Sequence, residues 1–165
     1  TLFIHPSYLA YFSEIGGGPS QGFRQLSDSN VDWGQDFFRL KRFMKEREVE
    51  EILLAHYGNQ DPAYYGITYQ YLPGMGHIKA PPAHIVSSDR VLLAISVMTL
   101  QGMFMPDKDV YRWLQERTPM ARVGYSIYIY DVSGDDDAYK RLAGIYARNR
   151  MRPQAEWAEA RLGAR

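Results

Sequence analysis

Three apolar runs constrain this chain most: "EILLAHYG" (51–58), "VLLAISVMTL" (91–100) and "ARVGYSIYIYDV" (121–132). Each is short and rich in aliphatic or aromatic residues, and each reads as a strand buried on both faces. The longest stretch without a charged residue among them, 91–100, is half the length needed to cross a bilayer. Between the runs lie helical signals. In "DPAYYG", Asp61 caps a short helical turn with Pro62 in its first position. "ITYQYL" (67–72) alternates as a further strand, and "DVYRWLQER" (109–117) is a short amphipathic helix stopped by Pro119. Residues 73–84 hold three prolines and two glycines, which predicts an irregular surface loop. Strands separated by helices predict an α/β sandwich with a partly parallel sheet flanked by helices over residues 1–132.

Beyond "SGDDD" the pattern is purely helical, so residues 133–165 form a helical hairpin. Tyr139, Leu142, Ala143, Tyr146 and Ala155 fall loosely where a tetratricopeptide repeat has its marker residues, although a plain amphipathic pair explains them better. One such hairpin cannot bury its own apolar face, so it must lie against the sandwich or a partner.

Composition narrows the function. Lys+Arg and Asp+Glu both number 19, which gives no basis for a nucleic-acid partner. The absence of cysteine excludes disulfides, thiolate metal sites and thiol catalysis. The 13 tyrosines suit either a tyrosine-rich core and rim or surfaces that meet ring-shaped ligands.

The stretch "LSDSNVDWGQD" (26–36) crowds acids, amides, serines and a tryptophan together. Much of it explains a helix start. Asp32 serves as N-cap, Gln35 closes a capping box, Asp36 favours the positive helix end, and Trp33 begins a stripe continued by Phe37, Leu40 and Met44. Asp28, Ser29 and Asn30 are left over. Asp28, Asn30 and Asp32 alternate like the first ligands of a calcium loop, but Trp33 stands where glycine is needed and Arg39 where glutamate is. That excludes an EF-hand and leaves open only a looser divalent-cation site; no other cofactor is expected. Three acids also disfavour phosphate at this helix end. Sugar hydroxyls suit the group better, because carboxylates and amides bond them while an aromatic face stacks on the ring. Asp28, Ser29, Asn30, Asp32, Trp33 and Gln35 are therefore the candidate substrate-binding residues. The rival reading makes Asp28 and Asn30 turn residues bonded to neighbouring amides.

No catalytic set emerges elsewhere. His56, His77 and His84 lack metal-ligand spacing. "GYSIY" lacks the second glycine of a serine elbow, and its Ser126 is expected inside a strand. "IGGGP" neither follows a strand nor opens a helix, so it is no phosphate loop.

Several segments in order resemble a known family. "HPSYLAYFSEIGGGPSQGF", "LSDSNVDWGQDFFRLKRFM", "AHYGNQDPAYYGI", "LAISVMTLQGMF" and "YRWLQERTPMARVGYSIYIYDV" are similar to the extracytoplasmic C-terminal region of bacterial multi-pass membrane glycosyltransferases. These are the GT-C enzymes related to protein O-mannosyltransferases. Members of that family often read "NELAGG" and "ATNLQG", where this chain has "SEIGGG" and "VMTLQG", with Thr99 in place of the asparagine. The likeness covers residues 5–132 and leaves out the helical tail. It implies a lipid-phosphate-linked sugar donor and transfer on the outer face of the bacterial cytoplasmic membrane. It also implies that catalytic acids lie in loops between membrane helices upstream, with residues 1–12 as a membrane-proximal lead-in. The chain would then be a soluble accessory domain that meets donor sugar or glycan acceptor and is inactive alone. The alternative is a free-standing binding or scaffolding module whose helical tail contacts a partner.

Overall fold

The computed structural model describes residues 36–74 and 83–163. Its element order is α1 (Phe37–Glu46), β1 (Glu51–Ala55), a 3-10 turn (Pro62–Tyr65), β2 (Thr68–Tyr71), β3 (Leu92–Ser96), α2 (Val97–Leu100), α3 (Arg112–Gln115), β4 (Ala121–Val123), β5 (Ile127–Asp131), α4 (Asp136–Arg148) and α5 (Arg152–Ala160). The strands form one five-stranded sheet in the order β2-β1-β3-β5-β4. β1 pairs parallel to both β2 and β3, while β5 runs antiparallel to β3 and β4. The chain is thus an α/β fold with a mixed, partly parallel sheet.

Alternation between two covered faces explains why the central strands β1 and β3 are almost wholly apolar. Ile52, Leu54, Leu92, Ala94, Ile127 and Ile129 face one side, where Phe37, Leu40 and Met44 of α1 cover them. Leu53, Ala55, Leu93, Ile95, Tyr128 and Tyr130 face the other side, beneath α3, α4 and α5. Both faces of the sheet's middle are covered, so every position of β1 and β3 is buried, while Thr68, Arg122 and Asp131 on the other strands are exposed.

The 3-10 turn forms as its sequence dictates: Asp61 accepts a hydrogen bond from the Ala63 amide at 2.9 Å, with Pro62 in the first turn. The run 91–100 is not one strand. It breaks after Ser96, whose hydroxyl caps α2 by accepting from the Thr99 amide at 3.4 Å. A short buried helix turn and a buried strand have the same apolar content, so periodicity alone does not separate them. The run 121–132 is likewise two strands, joined by a tight turn through Gly124 at φ +60°. Of the loop expected over residues 73–84, residues 75–82 lie outside the described residues; Pro73 is buried and accepts the Tyr111 hydroxyl at 2.5 Å.

The C-terminal hairpin lies against the sheet. Tyr139, Leu142, Tyr146 and Trp157 belong to the same apolar cluster as Leu53 and Leu93. Polar bonds fix its seat. Gln70, fully buried on β2, donates to the Tyr146 hydroxyl and accepts from the Val86 amide, both at 2.8 Å. The Trp157 indole donates to the Val86 carbonyl at 2.6 Å.

At the amino end of β1 a serine, a histidine and a carboxylate meet. Glu51 accepts from the Ser87 and Ser88 amides (2.7 Å each) and the Ser87 hydroxyl (2.9 Å), and pairs with His84 at 2.7 Å. Burial pushes the Glu51 carboxyl up, but these hydrogen bonds outweigh it and hold it below its ordinary value. Both hydroxyl and imidazole bond the carboxylate and not each other, so the trio is a clasp on the 83–88 segment and not a nucleophile–base pair.

Candidate functional site

In open α/β sheets, ligands meet the edge where the parallel strands end, next to a change in strand direction. Here that edge carries His56 after β1, Ser96 and α2 after β3, and the turn before β5, because Ser96 pairs with Ile127. Asp36, leading into α1, reaches the same place.

Asp36 is the hub. It is 1% exposed, and its Oδ2 accepts the Tyr125 amide at 3.1 Å, the Ser126 amide at 3.2 Å and the Ser126 hydroxyl at 2.8 Å. Its Oδ1 takes the Arg39 guanidinium at 2.5 Å. Gly124 is required beside it, since a Cβ there would sit 2.1 Å from Oδ1. The Ser126 carbonyl accepts the Val97 amide at 2.7 Å, which ties α2 to the same turn. The carboxylate is saturated by these donors, and Ser126 gives its hydrogen to it. Chemically this is a fastening of helix to hairpin. Ser126 therefore lies in the turn, not inside a strand.

His56 is buried at 2% exposure, with the Phe37 ring edge-on at 5.5 Å. Its Nδ1 lies 3.4 Å from the Tyr57 carbonyl, and its Nε2 has no hydrogen-bond partner among the described residues. Burial pushes its pKa down, so the ring is neutral at pH 7 and retains a nitrogen able to take a hydrogen bond or a proton. The sign of the pH effect follows. Below about pH 6.5 the unfolded chain takes up a proton that folded His56 resists, so stability is fully present above that value and declines below it. Melts between pH 5.5 and 8 are expected to show this decline in the parent and a flatter profile in His56→Phe; equal slopes would refute it.

The aromatic surface on this edge is less ordinary. Phe104, which follows α2, is 59% exposed and holds a left-handed backbone at φ +60°. Its ring lies 6.3 Å from that of Tyr57, tilted by 31°. A non-glycine residue there is strained by about 1–2 kcal/mol, and the residue stays more than half exposed. Gly102 keeps the loop in place at φ +67°, since a Cβ there would strike the Lys108 carbonyl at 2.1 Å. Strain combined with exposure of a large apolar ring marks a surface kept for contact.

The predicted residues Asp28, Ser29, Asn30, Asp32, Trp33 and Gln35 lie outside the described residues, as does the cation site considered for Asp28, Asn30 and Asp32. Asp36 alone represents that stretch here. Sequence reasoning missed Asp36 as a hub and Phe104 altogether. The glycine two residues before Phe104 was the available signal, because it marks a tight loop after an apolar run. Among the described residues no three His, Asp or Glu side chains gather to hold a metal, and no helix is long and apolar enough to cross a membrane. No protein-family model, curated protein or solved structure matches the chain.

Proposed function

We propose that this chain is the extracytoplasmic accessory domain of a bacterial membrane glycosyltransferase that uses a lipid-phosphate-linked sugar, and that it meets the donor sugar or glycan acceptor at the edge described above. One observation carries the reading: Phe104, exposed and held in a left-handed backbone, lies beside the half-buried Tyr57 ring on the edge that Asp36 reaches. Aromatic faces stack on the apolar face of a sugar ring, while acids and amides nearby bond its hydroxyls. Both aromatic residues fall in segments that carry the resemblance, "AHYGNQDPAYYGI" and "LAISVMTLQGMF". Asp28 and Asn30 are the residues this reading assigns to the sugar's hydroxyls, on the chemistry of their side chains.

Substitution tests this in the full-length membrane protein. Phe104→Gly relieves the left-handed strain, so the melting temperature of the domain is expected to hold or rise, by about 1 kcal/mol of stability. Sugar transfer falls in the same variant. Asp28→Ala and Asn30→Ala are expected to lower transfer with melting nearly unchanged. Transfer that falls only in proportion to folded protein in all three variants would return the edge to a purely structural role.

A further inference from the structure

A pocket of about 420 Å³ opens on the sheet face away from α1, where β4 and β5 meet α3. Separate elements bring its residues together. Leu100 closes α2, Gln115 ends α3, Arg122 lies on β4, and Tyr128 and Tyr130 alternate onto this face of β5. Gln115 donates its side-chain amide to the Leu100 carbonyl at 2.7 Å, which fixes the wall between the two short helices. Leu100 and Pro119 give that wall its apolar part.

Among the described residues no aspartate or glutamate lines this pocket. Arg117 does line it, but its charge is spent on Asp135 and Asp137, the latter at 3.1 Å. Arg122 therefore sets the sign. It is exposed on β4, with its guanidinium 4.9 Å from the centre of the Tyr128 ring. Stacking on a ring uses the flat face of a guanidinium and leaves its in-plane N–H groups able to donate sideways. Tyr130 supplies a second donor. It is 4% exposed, and its hydroxyl makes no hydrogen bond among the described residues. Burial, and then Tyr128 beside it, push that hydroxyl up to about 12 against the pull of Arg122, so it is a neutral O–H donor at pH 7. Native proteins rarely leave such a group unbonded. Unlike the Trp113 indole it is not sealed away, since Tyr130 lines the pocket, and its partner has to come from there.

We propose that this pocket binds a small organic monocarboxylate, whose carboxylate is bonded by the Arg122 guanidinium and the Tyr130 hydroxyl while its apolar body lies against Leu100 and Pro119. One cation matched to one negative charge favours a carboxylate over a phosphate dianion, and the planar guanidinium meets a carboxylate through paired N–H groups. The proposal stands independently of the glycosyltransferase reading, because it concerns another face and a different ligand.

The test titrates the ¹⁵N-labelled chain with benzoate, with benzamide as its neutral analogue, and with inorganic phosphate. Benzoate is expected to give saturable shifts at the amides of Gln115, Arg122 and Tyr130. Benzamide should bind about tenfold more weakly or worse, because the charge-assisted bonds are lost, and phosphate, which has no apolar body, should do no better. Tyr130→Phe removes a single oxygen atom that bonds nothing in the fold. It is expected to melt at an unchanged temperature and to bind benzoate about tenfold more weakly or worse. Arg122→Gln, on the exposed surface, should weaken binding at least as much. Absence of saturable shifts at these amides, equal binding of benzamide or phosphate, or unchanged benzoate affinity in Tyr130→Phe would each overturn the proposal.

Discussion

Asp36→Ala is expected to destabilise the fold by roughly 3–5 kcal/mol, because it removes one partner from a buried, charge-assisted cluster. The Tyr125 and Ser126 amides, the Ser126 hydroxyl and the Arg39 guanidinium all lose their acceptor together. Gly124→Ala attacks the same fastening from the other side. It adds the strain of a left-handed alanine to a Cβ placed 2.1 Å from the carboxylate. Because both changes break one cluster, their effects in the double variant should fall well short of the sum. Urea unfolding of the two single variants and the double variant measures this. A loss below about 1 kcal/mol for Asp36→Ala would mean that the cluster is solvated and the fastening incidental.

Removal of the C-terminal hairpin is expected to abolish cooperative unfolding. Tyr139, Leu142, Tyr146 and Trp157 cover the sheet face formed by Leu53, Leu93 and Ile95, and Gln70 would lose its Tyr146 partner. Fully exposing such side chains costs about 1.5–3 kcal/mol each, and several together exceed the total stability of a typical domain. The milder variant Trp157→Ala should cost roughly 3–5 kcal/mol, since it also leaves the Val86 carbonyl without its indole donor. Residues 1–132 giving a dispersed amide spectrum and a cooperative melt would show that the hairpin is dispensable to the fold.

Where local chemistry decided the outcome, the sequence was readable. Asp61 and Pro62 specify their turn within four residues, and the buried strands announce themselves as unbroken apolar runs. The sequence was opaque where the decision is made at a distance. The break in the 91–100 run is fixed from afar by the Val97 amide, which donates to the Ser126 carbonyl. The hairpin within 121–132 depends on Gly124 making room for a carboxylate nearly ninety positions earlier. The same distance hid the role of Asp36, which as a lone acid before a helix suggests only a favourable charge at the positive end. Phe104 escaped notice because its backbone strain belongs to the folded loop and leaves no pattern in the residue order.

The proposed role, assistance to sugar transfer without catalysis, is tested most directly with purified residues 1–165 incubated with a polyprenyl-phosphate sugar and a peptide acceptor, by following release of polyprenyl phosphate. The expected result is no release, together with sugar-dependent amide shifts at Tyr57 and Phe104 that vanish in Phe104→Gly. Sustained release would contradict the account, because it would place a complete catalytic centre within this chain.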